Sequence, residues 1–531
     1  MKNNKLIGSF YTPKIIADFL VDYLSKKMKD GKLSILEPSS GDGIFIHAIY
    51  NHKTLSPKIK KVVAVEREEI ELKKVREITK SKSLKTIHSD FLDFQNDNKQ
   101  KFDLVIGNPP YIKKNHLEES QIKICEDIHR NASLANQKIK NLWTAFLVRC
   151  IEFTAKDGIL AFVLPSELLQ VKFAAELREL ILNEFERVEI FTFNELLFKD
   201  CKGQDTLLLI GERKSKNKGI FYCNITELSE LKNGNFSLLQ NLKLKESKWT
   251  HSHLSNDEIE LLEKLKNKIK TIDYYCSSKA GIVTAANDFF IVNNETSEKY
   301  SLNGYTKEII QKGVFVNGSV EITRNDFNKL IKDNKPTYLL DFTKGIHKED
   351  KRSISQYFDI GLVDDIHTRY KTSIREKWYV VPNIGNPPQG FFFKRCNEYP
   401  KLIKNSARVL STDSAYWITM RDGGKIEDLI FSFYNSLTLS FAELNGRYYG
   451  GGVLELTPNE FKELPIPTKA ISKNKFDSYV LKFEGKQSIK DICKKNDEVI
   501  IKSIDKDIDK DTINKLFSIR EKLYLRRIKT N

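Results

Sequence analysis

Ten residues, 102–111, limit what this chain can fold into more than any other stretch. An apolar run rich in β-branched residues, FDLVIG, is followed by Asn108, Pro109, Pro110 and Tyr111. Two consecutive prolines fix φ and remove two N–H donors, so neither a strand nor a helix can continue through them. In open α/β sheets, ligands bind at the carboxyl ends of the strands. The stretch therefore predicts a buried strand that ends at a ligand-binding edge, with free carbonyls and an outward-facing aromatic ring.

Three strand ends upstream carry polar or glycine-rich features of their own. They are a glycine turn with Gly41 and Gly43 after Glu37, then Glu66 after the strand at 61–65, then Asp90 and Phe91 after the strand at 86–88. Two glycines separated by one residue let the backbone pass close to a ligand at a helix N-terminus. A carboxylate after the second strand can accept hydrogen bonds from a ribose diol. The third pair suits the amine and the face of an adenine. Each feature is weak alone, but their order predicts a nucleotide-binding α/β region.

Segments around these strands are predicted to be helical or irregular. Thr12 is predicted to cap a helix that has Pro13 at its first position, and Gly31 to mark the end of that helix. Residues 113–140 are polar, with helical character and no clear core. They fit either a mobile lid or a surface insertion.

Further strands are predicted at 158–165, 188–193 and 206–210, which brings the total to seven. Phe198 lies in the loop between the last two. The polar run 213–218 is predicted to close this first domain. The fold class that follows is α/β.

Charge and composition bear on the partner. The net charge of +16 favours a polyanion such as nucleic acid. A lysine-rich composition would give the same excess without any such partner.

Other features of the sequence bear on location. The chain has no run of 18 apolar residues, and its N-terminus lacks the apolar core of a signal peptide. Seven scattered cysteines without a CxxC pair favour a reduced protein with no disulfide and no metal site. These observations predict a cytoplasmic protein that does not enter a membrane.

The second half differs from the first in its predicted secondary structure and its composition. Short predicted strands, loops and many aromatic residues follow from about Lys270, and the tail beyond Ser472 is lysine-rich and partly helical. Segments 281–290 and 375–379 mix polar with aromatic residues, as recognition surfaces do. They are equally compatible with an irregular core. The tail is expected to pack back on the body.

The order of the motifs resembles the gamma class of DNA adenine-N6 methyltransferases, the TaqI-like enzymes of bacterial restriction–modification systems. In that class an FYTP segment precedes a GDG turn and NPPY follows it, as they do here at 10–13, 41–43 and 108–111. The segments GIVTAAND, REKWY, NSARVL and LPIP in the second half are similar to the target-recognition domain of that group. The resemblance spans most of the chain.

This resemblance implies a Rossmann-like, seven-stranded domain dependent on S-adenosylmethionine over residues 1–235. A mixed α+β target-recognition domain with a lysine-rich tail would follow over 236–531. The implied cofactor contacts are Tyr11, Thr12, Glu37, Ser39, Gly41, Glu66, Asp90, Phe91 and Asn108, and the implied catalytic pocket is Asn108, Pro109, Pro110, Tyr111 and Phe198. Double-stranded DNA would be the partner of a monomer, and no metal would be used.

The chemistry explains these residue types. The N6 amine of adenine is a poor nucleophile because its lone pair is delocalised into the ring. Two acceptors, the Asn108 side-chain oxygen and the Pro109 carbonyl, can hold both N6 hydrogens and draw the nitrogen toward tetrahedral geometry. Inside a duplex the amine is unreachable, so the base must flip out at a cost of roughly a few kcal/mol. Stacking on Tyr111 and Phe198 can return about 1–3 kcal/mol for each contact.

Alternative functions remain open at this point. The same motif could methylate a protein glutamine or an RNA guanine, and a DNA-binding subunit without catalysis would account for the basic charge. A fused restriction–modification enzyme is a further alternative, since Asp477, Glu484 and Lys486 have nuclease-like D…ExK spacing. That spacing also arises by chance in a highly charged chain. The second NPP, at 386–388, is predicted to be a loop because no ring follows it.

Overall fold

In this computed structural model, residues 11–94, 100–195, 197–198, 205–241, 248–449 and 452–528 are described. They form two compact units. The first contains the residues up to Ile259, and the second contains Glu260–Tyr448 and Val453–Arg527. The units divide after 259, whereas the sequence placed a boundary after 235.

A large sheet organises the first unit. Its described strands are β1 (Leu33–Glu37), β2 (Ile59–Glu66), β3 (Leu84–His88), β4 (Phe102–Gly107), β5 (Thr154–Pro165), β6 (Arg187–Phe193), β7 (Thr206–Glu212), β8 (Gly219–Ile225) and β9 (Leu239–Asn241). Their order is β3-β2-β1-β4-β5-β7-β6-β8-β9. β7 runs antiparallel to both β5 and β6, while β1 to β5 are mutually parallel. The carboxyl ends of β1 to β4 therefore meet at one edge.

The α/β class and all seven predicted strands are confirmed. The described residues nevertheless contribute nine strands to this sheet, two more than the predicted seven. The polar run 213–218 is a turn within the unit, because the next segment, GIFYCNI, buries its apolar residues as β8 beside β6. β9 then pairs antiparallel with β8.

Helices cover this sheet. They are α1 (Lys14–Ser25), α2 (Ile44–Asn51), α3 (Glu69–Ile78), α4 (Glu119–Asn131), α5 (Trp143–Phe153), α6 (Glu167–Gln170), α7 (Ala175–Glu184) and α8 (Ser229–Asn233), and α9 (Asn256–Lys266) follows at the division between the units. Thr12 is not the cap of α1, contrary to prediction. Pro13 occupies the cap position with an extended ψ of 139°, and its carbonyl accepts the amide hydrogens of Ile16 and Ala17.

The second unit is a mixed α+β structure. Its strands are β10 (Lys270–Thr271), β11 (Cys276–Ala280), β12 (Ile291–Val292), β13 (Thr306–Ile310), β14 (Glu321–Ile322), β15 (Tyr338–Leu340), β16 (Gly390–Phe393), β17 (Arg395–Cys396), β18 (Lys401–Asn405), β19 (Leu410–Ser411), β20 (Ala415–Met420), β21 (Arg447–Tyr449), β22 (Val453–Glu455) and β23 (Pro465–Ile466). The larger sheets have the orders β11-β20-β16-β18-β14 and β12-β15-β13-β19.

Helices of this unit alternate with those strands and then form its C-terminal part. They are α10 (Ile272–Tyr275), α11 (Asn287–Phe290), α12 (Asn294–Lys299), α13 (Arg324–Lys332), α14 (Lys351–Val363), α15 (Tyr370–Ser373), α16 (Ile426–Phe433), α17 (Ser436–Asn445), α18 (Pro458–Lys462), α19 (Lys473–Glu484), α20 (Ile489–Ile500) and α21 (Lys510–Arg527). Across the residues that the structure describes, no helix combines the length and the apolar character needed to cross a membrane.

The lysine-rich tail packs back on the body, as predicted. In α21, Arg527 donates to both carboxylate oxygens of Glu443, at 2.7 and 2.9 Å, in a buried ion pair with α17. In α20, Asp497 accepts from the Ser436 amide at 2.8 Å and from its hydroxyl at 2.6 Å. Asp497 therefore satisfies the start of α17, where backbone amides lack partners within the helix.

Two sequence patterns that imitate functional motifs are structural. Asn386–Pro388 is irregular, as predicted, and the Pro388 carbonyl accepts the side-chain amide of Asn405 at 2.9 Å. Asp477 lies on the second turn of α19, and Glu484 is the last residue of that helix, about two turns away. The Lys486 amine binds the backbone and side-chain oxygens of Asn317.

Burial of Asp497 makes the stability of the second unit depend on pH. Loss of solvation raises the pKa of this carboxyl from 3.8 to about 6. The folded state therefore binds the proton more tightly than the unfolded state. The contribution of Asp497 to stability is therefore greatest below pH 3.8 and decreases as pH rises toward 6, by an amount on the order of 2–3 kcal/mol.

We expect Asp497→Asn to remove this loss, because the amide oxygen still accepts from Ser436 but does not titrate. The free energy of unfolding, measured with urea at several pH values, should fall between pH 4 and 7 more in the wild type than in the variant. Asp477→Asn, at an exposed position on α19, serves as the control and should follow the wild type. Parallel profiles for the wild type and Asp497→Asn would contradict the prediction.

Candidate active site

The ends of β1 and β4 touch at Gly107. A Cβ on this residue would lie 3.2 Å from Cδ of Pro38, closer than an ordinary van der Waals contact, so the two strand ends approach tightly here. The Ser39 hydroxyl then donates to the Asn108 carbonyl at 3.1 Å. The turn after β1 and the NPPY segment after β4 are thus held against each other.

Glu66 holds the glycine turn in place. Its carboxylate accepts from the Gly41 amide at 2.7 Å and from the Glu68 amide at 2.9 Å. Gly43 has a φ of +83°, a conformation that favours glycine, and a Cβ there would lie 2.4 Å from the Ile78 Cδ1 atom, which would have to move. The carboxylate predicted to bind a ribose is therefore fixed by the backbone that would cradle the rest of the ligand.

Glu37 is a buried acid at the end of β1. It is 1% exposed, and its Oε2 atom has no hydrogen-bond partner among the described residues. Burial, and then the charges of Glu66 and Asp42, raise the pKa of the Glu37 carboxyl well above its usual range. An unsatisfied buried carboxylate is costly unless a ligand supplies a donor or a positive charge.

Asp90 and Phe91 lie beside each other after β3, as predicted. Asp90 accepts from the Leu92 amide at 2.9 Å and from the Gln121 side-chain amide at 3.0 Å. The ring of Phe91 packs 5.0 Å from that of Phe146 on α5, measured between centroids. A carboxylate and an apolar wall are therefore adjacent.

NPPY follows β4 as predicted, but its ring does not face outward. Tyr111 is only 8% exposed, and its hydroxyl donates to the Val163 carbonyl in β5 at 3.0 Å. Burial raises the pKa of Tyr111 well above its usual range. The expectation of an exposed ring was wrong because the sequence does not show this bond across the sheet. The Pro109 carbonyl accepts no hydrogen bond from the described residues.

Phe198 is 5% exposed and belongs to the same apolar core of the first unit as Tyr111. Much of its loop, residues 196 and 199–204, lies outside the described part of the chain. Thr12 is also buried. The FYTP segment is described only from Tyr11, whose ring lies 3.8 Å from the position that a Cβ on Gly41 would occupy.

One cavity collects most of the predicted residues. It is lined by Tyr11, Pro38, Ser39, Gly41, Glu66, Arg67, Glu68, Glu71, Ser89, Asp90, Phe91, Asn108, Pro110, Ile112, Leu142 and Phe146. The predicted residues outside this lining are Thr12, Glu37, Pro109, Tyr111 and Phe198. Glu37 lies behind the lining, near enough to Glu66 for their charges to interact.

Apolar lining residues that were not predicted include Ile112, Leu142 and Phe146. A signal for Phe146 was present in the sequence. Nine of the 11 residues of α5 are buried, and a helix that is apolar on all sides must be covered on all sides. Ile112 and Leu142 could not be found in this way, because a long insert separates them along the chain.

This arrangement fits S-adenosylmethionine. Its amine would need an anionic partner, its ribose an acceptor, and its adenine an acceptor and an apolar wall; Glu37, Glu66, and Asp90 with Phe91 have these properties. Asn108 lines the same cavity. A group transferred from the cofactor would therefore emerge near the acceptors of NPPY.

A second cavity, of about 1200 Å³, lies within the second unit. Its lining includes the aromatic rings of Phe342, Phe358, Tyr370 and Tyr379, with Lys351, Lys371, Arg375 and Lys377. The three lysines are exposed and form no ion pair with any described residue. The segment 375–379 is thus part of a surface, whereas Phe289 and Phe290 of segment 281–290 are buried.

Comparison with known proteins gives a consistent result for both halves. The family model "Eco57I restriction-modification methylase" matches residues 25–198, and "Type II methyltransferase M.Eco57I, C-terminal domain" matches residues 246–501. The first match spans the residues from Glu37 to Phe198. The second spans the cavity of the second unit.

Individual proteins agree with these models. The Type II methyltransferase M.AccI of Acinetobacter calcoaceticus is 25% identical over 536 residues, which cover 95% of this chain and 94% of that protein. The modification methylase CviBIII of Paramecium bursaria Chlorella virus NC1A is 32% identical over 177 residues, 33% of this chain and 42% of its own length. The structure of the Type IIL restriction-modification enzyme MmeI in complex with DNA matches with a TM-score of 0.61 at 12% identity, covering 98% of this chain and 78% of that one. That match shows a shared fold.

The raised pKa of Glu37 predicts that a cationic ligand releases a proton when it binds. Positive charge near the carboxyl lowers its pKa, so affinity for S-adenosylmethionine should increase with pH, and up to one proton should leave per ligand bound. Calorimetric titrations in two buffers of different ionisation enthalpy measure this number. Glu37→Gln should bind without proton release. Equal release by the wild type and this variant would contradict the assignment.

Proposed function

Since this chain belongs with the methyltransferases of restriction–modification systems, we propose that it methylates N6 of a flipped-out adenine in double-stranded DNA. The methyl donor is S-adenosylmethionine, and no metal takes part. The enzyme acts as a monomer in the cytoplasm and protects its sites from a cognate endonuclease. The proposal that the methyl acceptor is an amine rests on one observation. The NPPY segment directly follows β4, at the edge of a cavity that Glu66 and Asp90 line.

Asn108 and Pro109 are the groups that act on the amine. The Asn108 side-chain oxygen and the Pro109 carbonyl each accept one N6 hydrogen, which draws the nitrogen lone pair out of the ring. Bound S-adenosylmethionine supplies an electrophilic methyl group. Ser39 holds the Asn108 backbone carbonyl in place, at the start of the segment that carries both acceptors. Fixed acceptors of this kind lower a barrier without reorganisation during the reaction.

DNA is the favoured substrate because of the second unit. The three exposed lysines of its cavity, Lys351, Lys371 and Lys377, would neutralise DNA phosphates and so release bound counterions. The exposed ring of Tyr370 lies among them and offers a face on which a base can stack. We assign the cavity of the second unit to a DNA strand. These contacts supply the binding free energy that base flipping requires, a few kcal/mol.

We expect Asn108→Ala to lower the rate of methyl transfer by about 100- to 1000-fold, as loss of one positioned charge-stabilising group does. DNA affinity should change little. The assay follows labelled methyl from S-adenosylmethionine into unmethylated DNA, with nucleoside analysis for N6-methyladenine. Label found only in protein or RNA would refute the proposed substrate. Wild-type turnover by the variant would refute the role of Asn108.

The lysine cavity predicts a defined salt dependence. The triple variant Lys351→Gln, Lys371→Gln, Lys377→Gln should reduce the slope of log K against log salt by about two to three, because each lost phosphate contact contributes about 0.9. DNA affinity is measured between 50 and 300 mM salt. The control replaces Lys329, Lys332 and Lys335, which are exposed and do not line the cavity. Equal slopes for the wild type and the cavity variant would reject this surface.

A further inference from the structure

The insert between β4 and α5 is closed at its base. Lys113 and Asn141 form an antiparallel bridge, and the Lys114 amide donates to the Lys140 carbonyl at 3.1 Å. The Leu142 amide donates to the Ile112 carbonyl at 2.8 Å. Ile112 and Leu142 are therefore fixed to each other, and both line the cavity of the first unit.

Its helix, α4, is anchored to the body of the unit. Cys125 is fully buried and His129 is 4% exposed, so one face of the helix is covered. The expectation of a segment without a clear core was wrong. The alternation of buried and charged residues along α4 is weak in the sequence because only these two positions are buried.

Gln121 lies in the first turn of α4, and its side-chain amide forms two hydrogen bonds. Its Oε1 atom accepts from the Glu118 amide at 3.3 Å, which forms half of a capping box. Its Nε2 atom donates to Oδ2 of Asp90 at 3.0 Å. A backbone amide can only donate and a carboxylate can only accept, so these two partners fix the orientation of the Gln121 amide.

Asp90 is thereby held at both oxygens. Oδ1 accepts from the Leu92 amide at 2.9 Å, and Oδ2 accepts from Gln121. A carboxylate held at one oxygen only could still rotate about its last torsion. Held at two, it presents its remaining lone pairs in a fixed direction, and it lines the cavity.

We infer that Gln121 is a positioning residue that orients Asp90 to recognise the exocyclic amine of the adenine of the methyl donor, and that the insert is part of the cofactor site. This inference rests on the proposed function. Gln121 does not line the cavity, so it acts through Asp90. The insert contributes twice, with Ile112 and Leu142 as walls and with Gln121 behind the acceptor.

Gln121 could instead serve only to cap α4. Substitutions separate the two roles. Glutamate at this position keeps the capping box, since its carboxylate still accepts from the Glu118 amide. It cannot donate to Asp90 when ionised, and it places a second carboxylate beside the first. Alanine loses both contacts. Glu118→Ala weakens the cap and leaves the contact between Gln121 and Asp90.

The experiment measures binding to the full-length protein by calorimetry without DNA. The ligands are S-adenosylmethionine and its inosine analogue, which has a carbonyl in place of the adenine amine. We expect Gln121→Glu and Gln121→Ala to weaken S-adenosylmethionine binding about tenfold, the loss of one hydrogen bond to a charged group. Gln121→Ala should also narrow the preference for the adenine ligand over the inosine ligand. Glu118→Ala should remain within about twofold of the wild type for both.

Thermal unfolding of each variant shows whether the fold is kept. Wild-type affinity in Gln121→Glu would overturn the inference and leave the cap as the role of Gln121. An equal loss for both ligands in Gln121→Ala would also overturn it, because a general structural change does not distinguish the two bases. Failure of the wild type to bind S-adenosylmethionine would overturn the proposed function and this inference with it.

Discussion

The contact between the ends of β1 and β4 is the constraint on which the site depends. Gly107 leaves room for Pro38, and the Ser39 hydroxyl then bonds to the Asn108 carbonyl. Parallel pairing makes β1 and β4 neighbours, and this close approach brings the turn after β1 against the NPPY segment. The contact joins the part of the cavity suited to a cofactor with the part suited to an amine. Methyl transfer needs both within reach, because effective molarity depends on alignment at close distance.

Three carboxylates at this edge are satisfied to different degrees. Glu66 is held by two backbone amides, and Asp90 by one backbone amide and one side-chain amide. Glu37 has an oxygen without a partner in the described chain. The first two are oriented acceptors whose remaining lone pairs are available. The third, Glu37, would gain from a positively charged ligand, because such a ligand would offset the desolvation cost of the buried carboxylate. A ligand with a hydroxyl pair, an aromatic amine and a cationic amine matches this series.

Much of the first unit could be predicted from the sequence, because the residues that define each strand and its end are close together in the chain. A buried strand, a following turn and the residues after it are close in the chain, so all seven core strands and the polar strand ends were identified. The features that were missed depend on distant partners. The pairing of β8 with β6, the bond from Tyr111 to Val163 and the contact of Gln121 with Asp90 join residues whose proximity only the sheet creates. The lysine cavity of the second unit was missed for the same reason. It gathers Lys351, Lys371 and Lys377 from separate helices and loops.

The buried Tyr111 changes the energetic account of base recognition. An exposed ring would gain stacking energy with a flipped base, but it would also lose rotamer freedom on binding. Here the hydroxyl is already bonded to Val163, so the position of the ring is fixed before any substrate arrives. In the proposed reaction, a ring that is 8% exposed would offer little area for stacking, which would place more of the discrimination on the acceptors Asn108 and Pro109. Discrimination would then depend on hydrogen bonds to an amine, and a site of this kind rejects a base that lacks the amine more strongly than stacking could.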